Sequence, residues 1–158
     1  MNITYATDPR QIQEIRRLFG EYAESLSFSL CFQNFQEELD GLPGLYAPPG
    51  GRLLLANADD GESAGCIALR PLEPTIGEMK RLYVRPKFRG TGLGKRLTLR
   101  ILEEAAAIGY TRVRLDTAPE MAQGIRLYES LGFRRIAPYR PNPVEGALFM
   151  EIGVGRQS

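Results

Sequence analysis

Apolar and polar residues alternate through "NITYAT" (2–7), the pattern of a strand with one covered face. Asp8 and Pro9 then open a helix, Asp8 as N-cap and Pro9 at the first helical position. Ile12, Ile15, Phe19, Tyr22 and Leu26 follow at helical spacing, and Phe32, Phe35 and Leu39 suggest a second, shorter helix. "GLPGLYAPPGG" (41–51) is a loop by composition. Strands are expected at 52–57, 64–72 and 75–84, with a turn at Asp59-Asp60-Gly61 and Pro86 closing the last of them. A helix runs from about Gly92 to Ile108 on an apolar face of Leu93, Leu97, Ile101, Ala105 and Ile108, and Gly109 stops it. "TRVRLDT" (111–117) is a strand. Thr117-Ala118-Pro119-Glu120 has the form of a capping box for a helix with Met121, Ile125, Tyr128 and Leu131 on one face, ended by Gly132. "FRRIAP" and "ALFMEIG" read as two closing strands. One helix follows each of the strands at 75–84 and 111–117. The order βαα-βββ-α-β-α-ββ therefore implies a mixed α/β sheet with a parallel pair at its centre.

The 158 residues suit one domain, expected over 1–153 with a short tail at 154–158. Net charge is +1, so no overall field favours nucleic acid or an anionic membrane. The polar start, "MNITYATDPR", and the lack of a spanning apolar run lead to the expectation of a cytoplasmic protein, monomer or homodimer. There is no histidine, which excludes Ser-His-Asp and Cys-His catalysis and His-ligated metals. The two cysteines, Cys31 and Cys66, cannot make a zinc site by themselves, and no metal is expected. Any chemistry falls to carboxylates, Tyr, Lys, Cys or backbone amides.

One stretch concentrates candidate chemistry. "RGTGLGKRL" (89–97) sets three glycines at alternate positions between Arg89 and Lys95, just ahead of a helix. Glycines let backbone N–H groups crowd an anion, and the helix adds its own free amides and dipole. The spacing refuses two familiar phosphate loops. Gly94-Lys95 is followed by Arg96 rather than Ser or Thr, and the third glycine of a dinucleotide fingerprint would fall at Lys95. A tight turn with surface basic residues is the alternative reading.

Taken with its neighbours, the ordered set "EMKRLYVRPKFRGTGLG" then "LYESLGF" resembles the GNAT superfamily of N-acetyltransferases over about residues 64–152. The resemblance implies a mixed, mostly antiparallel sheet with a splayed central parallel pair, flanked by helices. It implies acetyl-CoA as co-substrate. Its pyrophosphate would lie on Arg89, Gly90, Thr91, Gly92, Leu93, Gly94 and Lys95, and its pantetheine arm would run along Leu82, Tyr83 and Val84 like an added strand. Tyr128 matches a tyrosine that protonates the departing thiolate; the competing reading makes it a core residue. Glu78, eleven residues before Arg89, is the candidate general base, directly or through water, with partial burial raising its pKa. The competing reading makes Glu78 a surface carboxylate paired with Lys80. Many relatives carry Asn and Ala where this chain has Met121 and Gly124, which puts one cofactor contact in doubt.

The expected activity is acetyl transfer from acetyl-CoA to a primary amine, of a small molecule or less readily of a protein, in a ternary complex. The alternative is a non-catalytic acyl-CoA-binding or sensing domain. Phe28, Phe32 and Phe35 either wall the acceptor site or belong to the core. Arg134, Arg135 and Arg140 either meet an acidic substrate or are solvated. Cys66 is expected to be a buried strand cysteine rather than an acyl carrier.

Overall fold

A computed structural model describes residues 1–30 and 34–155. The elements follow the expected order: β1 (Asn2–Tyr5), α1 (Pro9–Ser25), α2 (Phe35–Asp40), β2 (Arg52–Asn57), β3 (Ser63–Glu73), β4 (Ile76–Val84), α3 (Leu93–Ile108), β5 (Arg112–Thr117), α4 (Ala122–Leu131), β6 (Arg134–Ile136) and β7 (Leu148–Gly153). The strands form one sheet in the order β1-β2-β3-β4-β5-β7-β6. Every pairing is antiparallel except β4 with β5.

Strand alternation divides the core in two. Leu54, Ala56, Ile67, Leu69, Met79, Val113, Leu115 and Met150 pack with Leu93, Leu97, Ile101 and Ala105 of α3 and Tyr128 of α4. Their neighbours Leu53, Leu55, Cys66, Ala68 and Tyr83 pack with Ile15, Leu18 and Phe19 of α1. β2 is apolar at successive positions because helices cover both of its faces.

The helix ends are written locally. Asp8 caps α1, accepting the Gln11 N–H at 2.8 Å, and the Gln11 side chain returns to the Asp8 N–H at 3.2 Å. Gly109 and Gly132 end α3 and α4 with φ of 112° and 105°, a region side chains avoid.

The expected capping box at 117–120 does not form. Thr117 is still paired with Leu148 in the sheet, so α4 starts at a Met121 cap with no side-chain hydrogen bond. Glu120 instead accepts the backbone N–H of Ser27 at 3.3 Å and the Ser27 hydroxyl, tying the segment after α1 to the entry of α4.

Candidate active site

The parallel pairing of β4 and β5 is short. Ile76, Gly77 and Glu78 face Arg112, Val113 and Arg114, and beyond Glu78 the strands part. The gap holds a cavity of about 50 Å³ between Met79–Leu82 on one side and Leu115–Ala118 on the other, walled by Phe28, Leu30 and Asn142. Around the end of β4 lies a second, open cleft of about 700 Å³, running from Leu82–Val84 past Arg89–Lys95 to Met121–Tyr128. Tyr22, Leu82, Met121 and Tyr128 line both spaces, so the two meet at these side chains.

A bulge shapes the β4 end. Cys66 faces Tyr83 and Ala68 faces Lys80, so three steps on β4 oppose two on β3, and Arg81 takes φ of 62°. Past the bulge, the Arg85 N–H donates to the Ala64 carbonyl at 2.9 Å. Successive strand residues point their peptide groups to opposite sides, so those of Val84 face the side that β5 has vacated. The Val84 carbonyl accepts Arg89 Nε there at 3.1 Å.

The glycine-rich turn ends in an open helix terminus. Gly90 and Gly92 have φ of 79° and 82°. Gly92 caps α3 without a side-chain hydrogen bond, and the first intrahelical bond runs from the Arg96 N–H to the Gly92 carbonyl at 3.1 Å. The amides of Leu93, Gly94 and Lys95 are therefore left to a ligand or solvent, in contrast to the side-chain cap of α1. The Thr91 hydroxyl donates to the Phe88 carbonyl at 2.6 Å and braces the turn. Bare amides, a helix dipole and the exposed cations Arg89 and Lys95 fit a pyrophosphate, and the strand edge at Leu82–Val84 fits an amide-bearing arm.

Tyr128 is 7% exposed on the inner face of α4, its ring 5.5 Å from that of Phe133. Burial pushes its phenol above the usual range, so it holds its proton at neutral pH. At Gly124 an added Cβ would meet the Tyr128 ring at 3.6 Å, ordinary contact distance. Gly124→Ala should therefore stabilise α4 by about 0.5–1 kcal/mol, seen as a higher Tm; a lower Tm would show that the glycine serves the ring's motion.

Glu78 differs from both expectations for it. It is 0% exposed, at the vertex where β4 and β5 part, and is not a surface carboxylate. Arg70 Nε reaches Oε1 at 2.8 Å, while the Tyr139 hydroxyl, at 2.7 Å, and Arg140 both donate to Oε2. Burial pushes its pKa up, but Lys80, Arg140 and Arg70 outweigh that and hold it at about 2, the reverse of the expected rise.

The other candidates separate. Phe28 lines the small cavity. Phe32 and Cys31 lie outside the described residues. Phe35 packs with the α1 side of the core and carries the Arg81 guanidinium over its ring at 5.3 Å. Arg134 is exposed beside Glu151, Arg135 is exposed, and only Arg140 turns inward. Cys66 is fully buried and free, its thiol pushed up by burial. Asp116, Asn142 and Tyr139 escaped sequence reasoning, and Lys80 entered it only as a surface partner of Glu78. The one signal for Lys80 and Asp116 was charge inside a strand, in "EMKRLYV" and "RLDT"; Tyr139 and Asn142, between the last two strands, gave none.

The chain is similar to known proteins. The model of the acetyltransferase (GNAT) family matches residues 12–133. An uncharacterised N-acetyltransferase of Schizosaccharomyces pombe is 36% identical over 149 residues, covering 94% of this chain and 91% of that protein. An IAA acetyltransferase of Azospirillum brasilense is 39% identical over 109 residues, 66% of this chain and 69% of that one. In fold, an acetyltransferase from Streptococcus agalactiae superposes with a TM-score of 0.79 over 97% of this chain and 98% of its own, at 20% identity.

Proposed function

This chain belongs to the acetyltransferase (GNAT) family and is an acetyl-CoA-dependent N-acetyltransferase; from that premise we propose direct acetyl transfer to the primary amine of a small molecule, in a ternary complex. The observation that carries the proposal is the junction at Tyr22, Leu82, Met121 and Tyr128, where the open cleft and the small cavity meet. A donor held along the cleft and an amine held in the cavity can react without a covalent carrier on the protein.

Arg89 and Lys95, with the amides of Leu93–Lys95, would hold the pyrophosphate, and Leu82–Val84 the pantetheine arm. Acetyl-CoA supplies an activated acetyl thioester. In the reaction the C–S bond breaks, a C–N bond forms, the amine gives up one proton and the sulfur receives one. The Tyr128 hydroxyl delivers the sulfur's proton. The Val84 N–H, facing the vacated side of β4, is the donor available to the acyl oxygen. A carboxylate near pKa 2 is a weak base, so the amine's proton leaves through water and Glu78 is a positioning residue.

Initial rates of thiol release, with acetyl-CoA and an amine varied together, should give intersecting lines, and Cys66→Ser should stay active. Parallel lines, or an acetylated protein formed without amine, would sink direct transfer. CoA binding with no thiol release from any amine would favour the acyl-CoA-binding alternative. CoA affinity should weaken with added NaCl, and Lys95→Ala should lower it about fivefold at low salt, the scale of one exposed ion pair. An unchanged Kd in calorimetry would remove Lys95 from the cradle.

A further inference from the structure

The chain holds seven tyrosines, and their hydroxyls sort by what they touch. Those of Tyr5, Tyr83, Tyr110 and Tyr139 donate to Glu104, Glu21, the Gly50 carbonyl and Glu78. Tyr46 lines neither the cleft nor the small cavity. Tyr22 and Tyr128 remain. Both line the two spaces where these meet, and no described residue is hydrogen-bonded to either hydroxyl. Phenylalanine would fill the same room at Tyr22 without a polar atom to satisfy.

The two hydroxyls reach the gap between β4 and β5 from opposite faces of the sheet. Tyr22 belongs to α1 and packs on the side of Cys66, Ala68 and Tyr83, whereas Tyr128 of α4 packs on the side of Leu115 and Met150. The Tyr22 ring stands edge-on to that of Tyr83, centroids 6.2 Å apart, which keeps it beside the end of β4. Burial holds the Tyr22 proton above the usual phenol range, and the nearness of Tyr22 adds to the rise at Tyr128. Both phenols are therefore hydrogen-bond donors at neutral pH.

A tetrahedral intermediate at the acetyl carbon has two atoms that call for a donor, the oxygen that gains charge and the sulfur that leaves. The Tyr128 hydroxyl serves the sulfur. The Val84 N–H serves the oxygen, from the residue after Tyr83, against whose ring Tyr22 lies. The attacking nitrogen gives up a proton and calls for an acceptor, a role that does not suit a phenol holding its own.

We infer that the Tyr22 hydroxyl is a second donor to the acyl oxygen, forming with the Val84 N–H the pair that takes the oxyanion. The hydroxyl keeps its proton throughout. The electron pair of the oxyanion re-forms the C=O bond, the C–S bond breaks, and the sulfur takes the Tyr128 proton. Tyr22 is thus a catalytic residue supplied from the face of the sheet opposite Tyr128.

The inference rests on the transferase reading, and two measurements keep their failures apart. The first needs no acceptor: infrared difference spectra of protein-bound acetyl-CoA, isotope-edited at the acetyl carbonyl. A hydrogen bond to the acyl oxygen lowers its stretching frequency. The band should therefore rise in Tyr22→Phe and stay in place in Tyr128→Phe. No rise in Tyr22→Phe, or an equal rise in Tyr128→Phe, overturns the inference. A Tyr22→Phe protein that fails to fold assigns the hydroxyl to the fold and overturns it as well. The second is thiol release from acetyl-CoA with methylamine, ethylamine, glycine and spermidine. With any amine that turns over, Tyr22→Phe should lower kcat at least tenfold and leave the KM of the amine within threefold, since one oxyanion donor is worth about 10²–10³ in kcat. A kcat within threefold of wild type, or a loss confined to the KM of the amine, overturns the inference and leaves the transferase intact. Wild-type protein that does not bind acetyl-CoA overturns the transferase reading, and this inference with it.

Discussion

Tyr128→Phe should lower kcat by about 100-fold or more while leaving the KM for acetyl-CoA and the Tm nearly unchanged. A general acid contributes about 10²–10⁴ to a rate. The change removes one oxygen from a ring that keeps its packing against Phe133 and Gly124. No described residue is hydrogen-bonded to the hydroxyl, which lines the cleft and the small cavity, so its loss strands no partner. The effect should therefore fall on the chemical step. Steady-state kinetics beside a thermal melt read both quantities. A kcat within threefold of wild type would return Tyr128 to the core and leave the thiolate to be protonated by solvent.

Glu78→Gln should destabilise the protein by about 3–5 kcal/mol, the cost of removing one partner from a buried ionic cluster. Arg70 and Arg140 would lose their shared counter-charge at the vertex of the splayed strands. The pH dependence gives an independent signature. Glu78 is depressed from 4.5 to about 2, so its contribution is complete above the unfolded value and is lost as pH falls from about 4.5 toward 2. Wild-type stability should drop through that window, and the variant should lack that part of the drop. Denaturant melts from pH 7 to pH 2.5 would show it. A Glu78→Gln protein as stable as wild type but 100-fold slower would restore the carboxylate as the base.

Most of the fold was legible because it depends on short-range signals. Periodicity, Pro86, and the stops at Gly109 and Gly132 bracket β4, α3, β5 and α4 to within a residue or so, while β1, α2 and β6 differ by two or three. The turn proposed to hold the donor was legible in shape for the same reason: a strand end, a glycine turn and a helix start are contiguous. The capping box misled because Thr117 satisfies the motif in sequence while still paired to Leu148, a partner 31 residues away. Glu78 was misread for a related reason. Tyr139 and Arg140, which bond its carboxylate, lie 61 and 62 residues downstream, and Arg70 reaches it only through the register of a bulged hairpin. Composition could show that Glu78 is acidic but not that three donors would converge on it.

The two sides of β4 are built from different materials. The side proposed for the donor offers main-chain groups at a bare helix end and a strand edge, with the Arg89 and Lys95 side chains beside them, while the small cavity proposed for the acceptor is walled by side chains such as Phe28, Leu30, Asp116 and Asn142. Single-nucleotide changes rewrite side chains and leave peptide groups where they are. A duplicated copy of this gene could drift to a new amine through substitutions in the segment after α1 and the stretch before β7. It would keep the main-chain part of the proposed donor cradle throughout, since those substitutions fall outside it.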